Sequence, residues 1–400
     1  MYRKTYKEIN LDNLSFNVHN ILKKYNNYKY YIGMVKADAY GHGMYIVNTL
    51  IKAGINYLAV SSINEAMDIR KYNKEIPILC TEVIEYDLIS LAEENNITIT
   101  VTNLDYIKNI VKNIKTKLTI HIKIDSGMNR LGVKDKESFN DMYNYINKNS
   151  KLYLEGIYTH FATTGLHDKY YDYQVENFKN ITSDINILDI PIVHLSSSVI
   201  VLAHPKLDFC NAIRIGTIMY GYDIAPRSYG RGLKDTLRKI RDSYYIKKYN
   251  ISKTYKDVII PLKPALKIKT NVIEIKDVKC GEFIGYGASF IAPKDMRIAI
   301  LPIGYHDGIG TNCDSRYVII NGNRYKTVGN LSMCMMTVLI DDKVSLFDPV
   351  TILGDGITLG MISRINNTDI HDTLANIGKN LDKVYILNEK GRKKEIEICQ

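Results

Sequence analysis

The 400-residue sequence has no tryptophan, and its six cysteines (Cys80, Cys210, Cys280, Cys313, Cys334 and Cys399) are scattered. None forms a C-x-x-C pair or a metal-ligand spacing, which argues against a disulfide framework and suits free thiols in a reducing compartment. No apolar run approaches the ~18 residues that a membrane span needs. The charged N-terminus, Met1 to Glu8, is not followed by an apolar signal-peptide core. Internal repeats and low-complexity tracts are missing as well. These absences lead to the expectation of a cytoplasmic globular protein.

What is present is ordinary in bulk and uneven in detail. The chain is 46% hydrophobic and 24% charged, as globular proteins are, and its length is comfortable for two domains. The formal charge of +10 is concentrated in residues 227–256, with a smaller cluster from Lys390 to Lys394. A basic face can attract nucleic acid or anionic lipid. Lysine is abundant throughout, however, and a solvated insertion explains the stretch better. We therefore expect neither nucleic acid nor membrane as a partner.

From residue 30 onward, β-branched or aromatic runs alternate with helical patterns. Strands are expected at Tyr30–Lys36, Tyr57–Ser61, Pro77–Thr81, Thr98–Thr102, Leu118–Ile124, Leu154–His160, Ile190–Leu195 and Ala212–Ile215. Helices are expected between them, among them Asn64–Lys71, Asn103–Asn113 and Lys136–Lys148 with Asp135 as N-cap. Eight strands with helices between them predict an α/β fold, a (β/α)8 TIM-type barrel over residues 11–226. Residues 227–256 read as a basic insertion. Residues 257–400 read as a mainly β C-terminal domain, with residues 1–10 a candidate addition to it. Its expected strands include Lys267–Ile275, Arg297–Pro302, Tyr317–Ile320, Tyr325–Val328, Met336–Leu339, Val350–Leu353 and Val384–Leu387. Turns at Asn321-Gly322-Asn323 and Gly354-Asp355-Gly356 separate some of them. Helices are expected at Gly360–Asn366 and around His371–Gly378.

Chemistry in such a barrel sits at the C-terminal ends of its strands. Those ends carry Lys36, Lys123, Arg130, His160, His194, Ser198 and Arg214, an electropositive set unsuited to packing. A strand-end lysine often just reaches solvent; a desolvated one is a nucleophile toward carbonyls. The loop Arg214-Ile215-Gly216-Thr217 follows the eighth strand, where phosphate sites recur in this fold, and Ser198 suits the same phosphate. An imine-forming lysine, a phosphate cradle and a basic cavity together suggest pyridoxal phosphate. No metal is expected.

The stretch Val35-Lys36-Ala37-Asp38-Ala39-Tyr40-Gly41-His42-Gly43 resembles the cofactor-lysine signature of the alanine racemase family. The resemblance continues through Asp125–Gly132, Thr159–Ala162, Arg214–Gly221, Gly285-Tyr286-Gly287-Ala288 and Pro302–Gly308. It implies a homodimeric pyridoxal 5'-phosphate enzyme that interconverts L- and D-alanine at composite active sites. By that resemblance, Lys36 carries the cofactor and is the base on one face of the substrate, and Tyr286 from the partner subunit serves the other. His160 supports the tyrosine, and Arg214 faces the pyridine nitrogen. Tyr40, Ser198, Gly216 and Thr217 hold the phosphate, and Arg130 takes the substrate carboxylate. Met333 contacts substrate, Tyr305 stands at the pocket entrance, and Lys123 is a candidate for carbamylation. His42 and His194 read as structural.

Some positions depart from the family pattern. Cys334-Met335 replaces Asp-Gln, His371-Asp372 stands where a Tyr-Glu pair is usual, and Gly165, Thr311 and Asn330 replace charged corridor residues. These changes admit serine, lysine or a broader range as alternative substrates. Three other readings compete: a decarboxylase of the same fold group, a non-enzymatic cofactor carrier, and a binding protein with a lapsed site. The decarboxylase motifs are missing, and a carrier would not need the second domain.

Overall fold

A computed structural model describes residues 3–163, 169–223, 260–312, 316–389 and 392–398, with isolated positions between 233 and 244. The chain divides into two compact units. One comprises Ser15–Ala37 and Val47–Leu262; the other comprises Met1–Leu14, Asp38–Ile46 and Lys263–Gln400. Most of the basic stretch 227–256, with Gly165 and Cys313, lies outside the described residues.

The first strand of the chain, β1 (Tyr6–Asn10), belongs to the second of these units. The next eight build the first: β2 (Tyr30–Met34), β3 (Tyr57–Val60), β4 (Ile78–Cys80), β5 (Ile97–Val101), β6 (Leu118–Lys123), β7 (Leu152–Tyr158), β8 (Ile192–His194) and β9 (Ala212–Ile215). They pair in parallel in the order β8-β7-β6-β5-β4-β3-β2-β9. At the seam between β8 and β9, Asn211 N–H donates to Val193 O (3.2 Å) and Arg214 N–H to Ser196 O (3.1 Å), so the sheet is a nearly closed barrel. Five of the strands are buried at every residue, and two of them, β3 and β4, read as unbroken apolar runs.

The helices begin where short polar side chains satisfy their first amides. Ser62 and Glu65 form a capping box before Ile63–Tyr72, Asn103 caps Leu104–Ile110, and Asp135 accepts from Ser138 N–H ahead of Lys136–Lys148. The expected strands and these helices agree with the structure to within a few residues. Strand β2 ends at Met34, two residues short of the lysine expected to close it.

The other unit is mainly β. Among the described residues its principal sheet has seven strands, with β1 between β10 (Leu266–Asn271) and the strand Asp382–Glu389. The single strand expected over Lys267–Ile275 is two: β10 and β11 (Glu274–Val278), which lie in different sheets. Asn321 and Gly322 both take positive φ in the hairpin joining Tyr317–Ile320 to Asn323–Lys326, as a two-residue turn demands. The two expected helices are Leu359–Asn366 and Ile370–Asn376. Among the described residues, no helix is long and apolar enough to cross a membrane.

Candidate active site

Lys36 begins a segment, Lys36–Tyr40, that coils as a single helical turn but in the left-handed sense. Ala37, Asp38, Ala39 and Tyr40 have φ of 53°, 52°, 53° and 53°. Each non-glycine residue in this conformation costs roughly 1–2 kcal/mol, and such residues normally occur singly. Four in succession are therefore a strained feature held by their surroundings. In the barrel unit, Ala37 N–H donates to Glu65 Oε1 at 2.5 Å. In the other unit, Gly43 N–H donates to Asp38 O (2.8 Å), Lys7 Nζ to Gly41 O (2.7 Å), Tyr385 to His42 O (3.0 Å), and Lys383 pairs with Asp38 (3.0 Å). Burial, then the charge of Lys383, lowers the Lys7 pKa to about 7.

The remaining cations of the barrel unit lie at the same ends of their strands. Burial, then the charge of Arg130, lowers the pKa of Lys36. Lys123, at the last position of β6, is lowered to about 7 by burial and then by Arg214. Its ammonium donates to Ile124 O (2.9 Å) and lies 5.2 Å above the Tyr158 ring. Arg130 sits in the loop after β6, which Asp125 shapes by accepting from the amides of Gly127, Asn129 and Arg130 (3.1, 2.9 and 3.0 Å).

Arg214 is buried and remains cationic, although burial lowers its pKa to about 10. Its NH1 donates to His194 Nδ1 (2.8 Å) and His194 O (2.7 Å). Its NH2 faces Thr159 O (2.9 Å), Leu195 O (2.9 Å) and His160 Nδ1 (3.3 Å). Those acceptors engage all four terminal hydrogens, so Nε–H is the one guanidinium donor with no acceptor among the described residues. Burial and the neighbouring Arg214 push the His160 pKa down to about 2, leaving that ring neutral. Beside it, Gly216 N–H donates to the Ser198 hydroxyl oxygen (2.7 Å), leaving the hydroxyl hydrogen to donate elsewhere. Thr217 heads a short 3-10 turn, Thr217–Tyr220, whose first amides point away from the turn.

Four cations thus gather where the local carboxylates of Asp125 and Glu65 are already engaged by backbone amides. The donor set fits a small anionic ligand with a phosphate for Ser198 and the turn at Thr217, and an acceptor nitrogen for Arg214 Nε. Eight of the residues expected from sequence are brought together here: Lys36, Lys123, Arg130, His160, Ser198, Arg214, Gly216 and Thr217.

Three others form a separate cluster in the β unit. Tyr286 lies on a short turn and is 69% exposed. Asn330 Nδ2 donates to Tyr286 O (3.1 Å). Tyr305 N–H donates to Ser332 O (3.3 Å) and His306 N–H to Met333 O (2.9 Å), so the Tyr305 and Met333 loops are joined. Among the described residues no group of acidic, histidine and cysteine side chains could hold a metal.

Three residues of the barrel unit were not expected from the sequence. His121 and Glu155 join His194 in a hydrogen-bonded line to Arg214, and Glu65 holds the turn that carries Lys36. A signal for His121 did exist: it precedes Lys123 by two on one strand, hence on the same inward face.

Comparison with known proteins agrees with this architecture. Residues 9–224 match the family model "Alanine racemase, N-terminal domain" and residues 265–385 match "Alanine racemase, C-terminal domain". Alanine racemases of Halalkalibacterium halodurans and Clostridium kluyveri are each 31% identical, over 96% of this chain and 95% of theirs. The solved alanine racemase of Clostridium difficile 630 superposes with a TM-score of 0.85 at 30% identity, covering 99% of both chains. The chain belongs to the alanine racemase family and is an amino-acid racemase.

Proposed function

We propose that the chain interconverts L- and D-alanine with pyridoxal 5'-phosphate as cofactor, as a cytoplasmic homodimer with composite active sites. The observation that carries this reading is Arg214, fully hydrogen-bonded except at Nε, at the same barrel mouth as Lys36 and Ser198. In this reading Arg214 Nε–H meets the pyridine nitrogen, and Ser198, Tyr40 and the Thr217 amide hold the phosphate, with Gly216 N–H fixing the Ser198 hydroxyl that donates to it. Pyridoxal phosphate, when bound through the Lys36 amine, supplies the electron sink that makes the substrate α-hydrogen acidic.

Inversion needs a proton carrier on each face of the α-carbon. Lys36, with its pKa lowered by burial and by Arg130, releases a proton more readily than an exposed lysine. Tyr286 of the partner subunit serves the opposite face. An ordinary tyrosine near pKa 10 is a weak base, so it needs cationic surroundings and a hydrogen-bond donor. His160 is suited to be that donor, because Nδ1 faces Arg214 and its proton therefore sits on Nε2. Arg214 cannot give up its charge, so it donates to the ring nitrogen without protonating it.

Arg130 pairs with the substrate carboxylate. A lysine amine captures carbon dioxide only when neutral, and the depressed pKa of Lys123 makes the neutral form abundant. Carbamylated Lys123 would present a negative charge toward Arg130 and orient it. Met333 and Tyr305 bound the substrate space and its entrance. Cys334 and His371, which depart from the family pattern, favour a second reading in which serine, lysine or several amino acids are turned over.

Replacing Lys36 with Ala tests the proposal: the cofactor absorbance band and racemase activity should both vanish, and survival of both overturns it. Tyr286→Phe should slow reaction from one enantiomer more than from the other; equal loss contradicts face-specific roles. Deuterium uptake from heavy water by both enantiomers of alanine, serine and lysine identifies the substrate.

A further inference from the structure

Three polar side chains run through the barrel behind Arg214. His194 Nδ1 lies 2.8 Å from Arg214 NH1 and His194 Nε2 lies 3.0 Å from His121 Nδ1. His121 Nε2 in turn lies 3.0 Å from Glu155 Oε2. Both imidazoles have no solvent exposure, and Glu155 is partly exposed at the far end of the line.

The direction of every proton in this line is dictated from both ends. A guanidinium can only donate, so His194 Nδ1 must be a lone pair and the proton must sit on His194 Nε2. That proton is donated to His121 Nδ1, which must then be a lone pair, so His121 carries its proton on Nε2. A carboxylate can only accept, and it accepts from His121 Nε2–H. Arginine and glutamate thus demand the same tautomer of both rings. Glu155 is kept ionised: burial alone would raise its pKa, but the hydrogen bonds from His121 and Tyr57 (2.7 Å) bring it below the ordinary carboxylate value.

The local sequence makes room for the line. A Cβ at Gly156 would approach His121 Cε1 to 2.6 Å, and the β6–β7 pairing shifts register between Ile120 and His121. The imidazole therefore occupies the space that a side chain at position 156 would fill.

We propose that Glu155 is a positioning residue for Arg214, acting through His121 and His194 to hold the guanidinium's NH1 on a fixed acceptor and its Nε–H toward the ligand. This role rests on the proposed function, in which Arg214 Nε meets the cofactor ring. It goes beyond that reading in assigning control of the contact to a carboxylate three hydrogen bonds away. Outer partners that orient metal-ligating side chains set activity by about tenfold or more without touching substrate, and an oriented guanidinium follows the same logic.

The test uses cofactor-loaded protein labelled with 15N-histidine, with H121Q and H194Q assigning the two rings by solid-state NMR. In the parent protein both rings should show the Nε2–H tautomer alone. Glu155→Leu should leave the His121 Nε2–H without its acceptor and so move its 15N resonance, shift the cofactor absorbance band, and lower kcat about tenfold with KM little changed. Glu155→Gln keeps the shape, so it decides the matter if the leucine variant fails to fold; it should shift the same signals less. An unchanged His121 Nε2 resonance, cofactor band and kcat in Glu155→Gln and in any folded Glu155→Leu would overturn the proposal. Failure of the functional reading looks different: the parent protein would then bind no pyridoxal phosphate and racemise nothing, whatever its tautomers.

Discussion

The Glu65 carboxylate joins the start of the Lys36 turn to the end of the neighbouring strand. Its Oε1 accepts from Ala37 N–H at 2.5 Å and its Oε2 from Ser61 N–H at 2.8 Å. Glu65 is also the third residue of the helix Ile63–Tyr72 and completes its capping box with Ser62. One side chain therefore caps a helix and fixes the backbone next to Lys36.

Glu65→Ala should lower stability by about 1–2 kcal/mol, since it removes a cap and leaves the Ala37 amide without its acceptor. It should also weaken cofactor retention, because the left-handed turn loses its restraint at Ala37. Urea unfolding and cofactor loss on dialysis measure the two effects. A variant that unfolds at the parent midpoint and keeps its cofactor would show that the turn is held without Glu65.

Gly156→Ala should cost about 1–3 kcal/mol through overpacking, because the added methyl meets the His121 ring and the surrounding strands leave it no room. Its circular dichroism should stay native while the unfolding midpoint drops. An unshifted midpoint would mean that His121 moves aside freely.

Stability should fall on acidification. Burial holds His42 and His160 at pKa values of about 3 and 2, against an ordinary 6.5. Below pH 6.5 the unfolded chain takes up protons that the native rings refuse, so each histidine removes about 1.4 kcal/mol per pH unit. Above neutrality the sign is the same for Lys7, held at about 7 against 10.5. Between those values the unfolded chain keeps a proton that the native one has released, and stability still rises with pH. Urea midpoints measured from about pH 5 to 9 should climb throughout; a midpoint that rises toward acid would contradict this account.

Carbamylation of Lys123 should give a carbamate carbon signal when the protein is equilibrated with 13C-bicarbonate, and Lys123→Ala should abolish that signal. The variant should raise KM for the substrate about tenfold, through loss of the Arg130 partner. A spectrum free of the signal in the parent protein would remove carbamylation from the proposal.

Much of this molecule was legible in its sequence because the relevant forces are local. Short β-branched or aromatic runs marked the barrel strands, Asp135 marked its helix start, and a glycine after asparagine marked a hairpin. The cations at strand ends stood out because such groups rarely serve packing. Other features required the folded chain. Ala37 to Tyr40 are ordinary helix-compatible residues, and nothing in them announces positive φ; contacts distant in sequence impose it. The split of β10 from β11 likewise reflects which partner each strand meets.

The sequence by itself determined which residues form strands and helices, and that lysines and arginines would collect at one end of a barrel. Periodicity, capping and the burial cost of charge act within a few residues or on composition alone. Only the tertiary structure decided that Glu65 clamps the Lys36 turn and that Glu155 and Arg214 orient two histidines between them. Those relationships depend on the register of strands far apart along the chain, which no local pattern encodes.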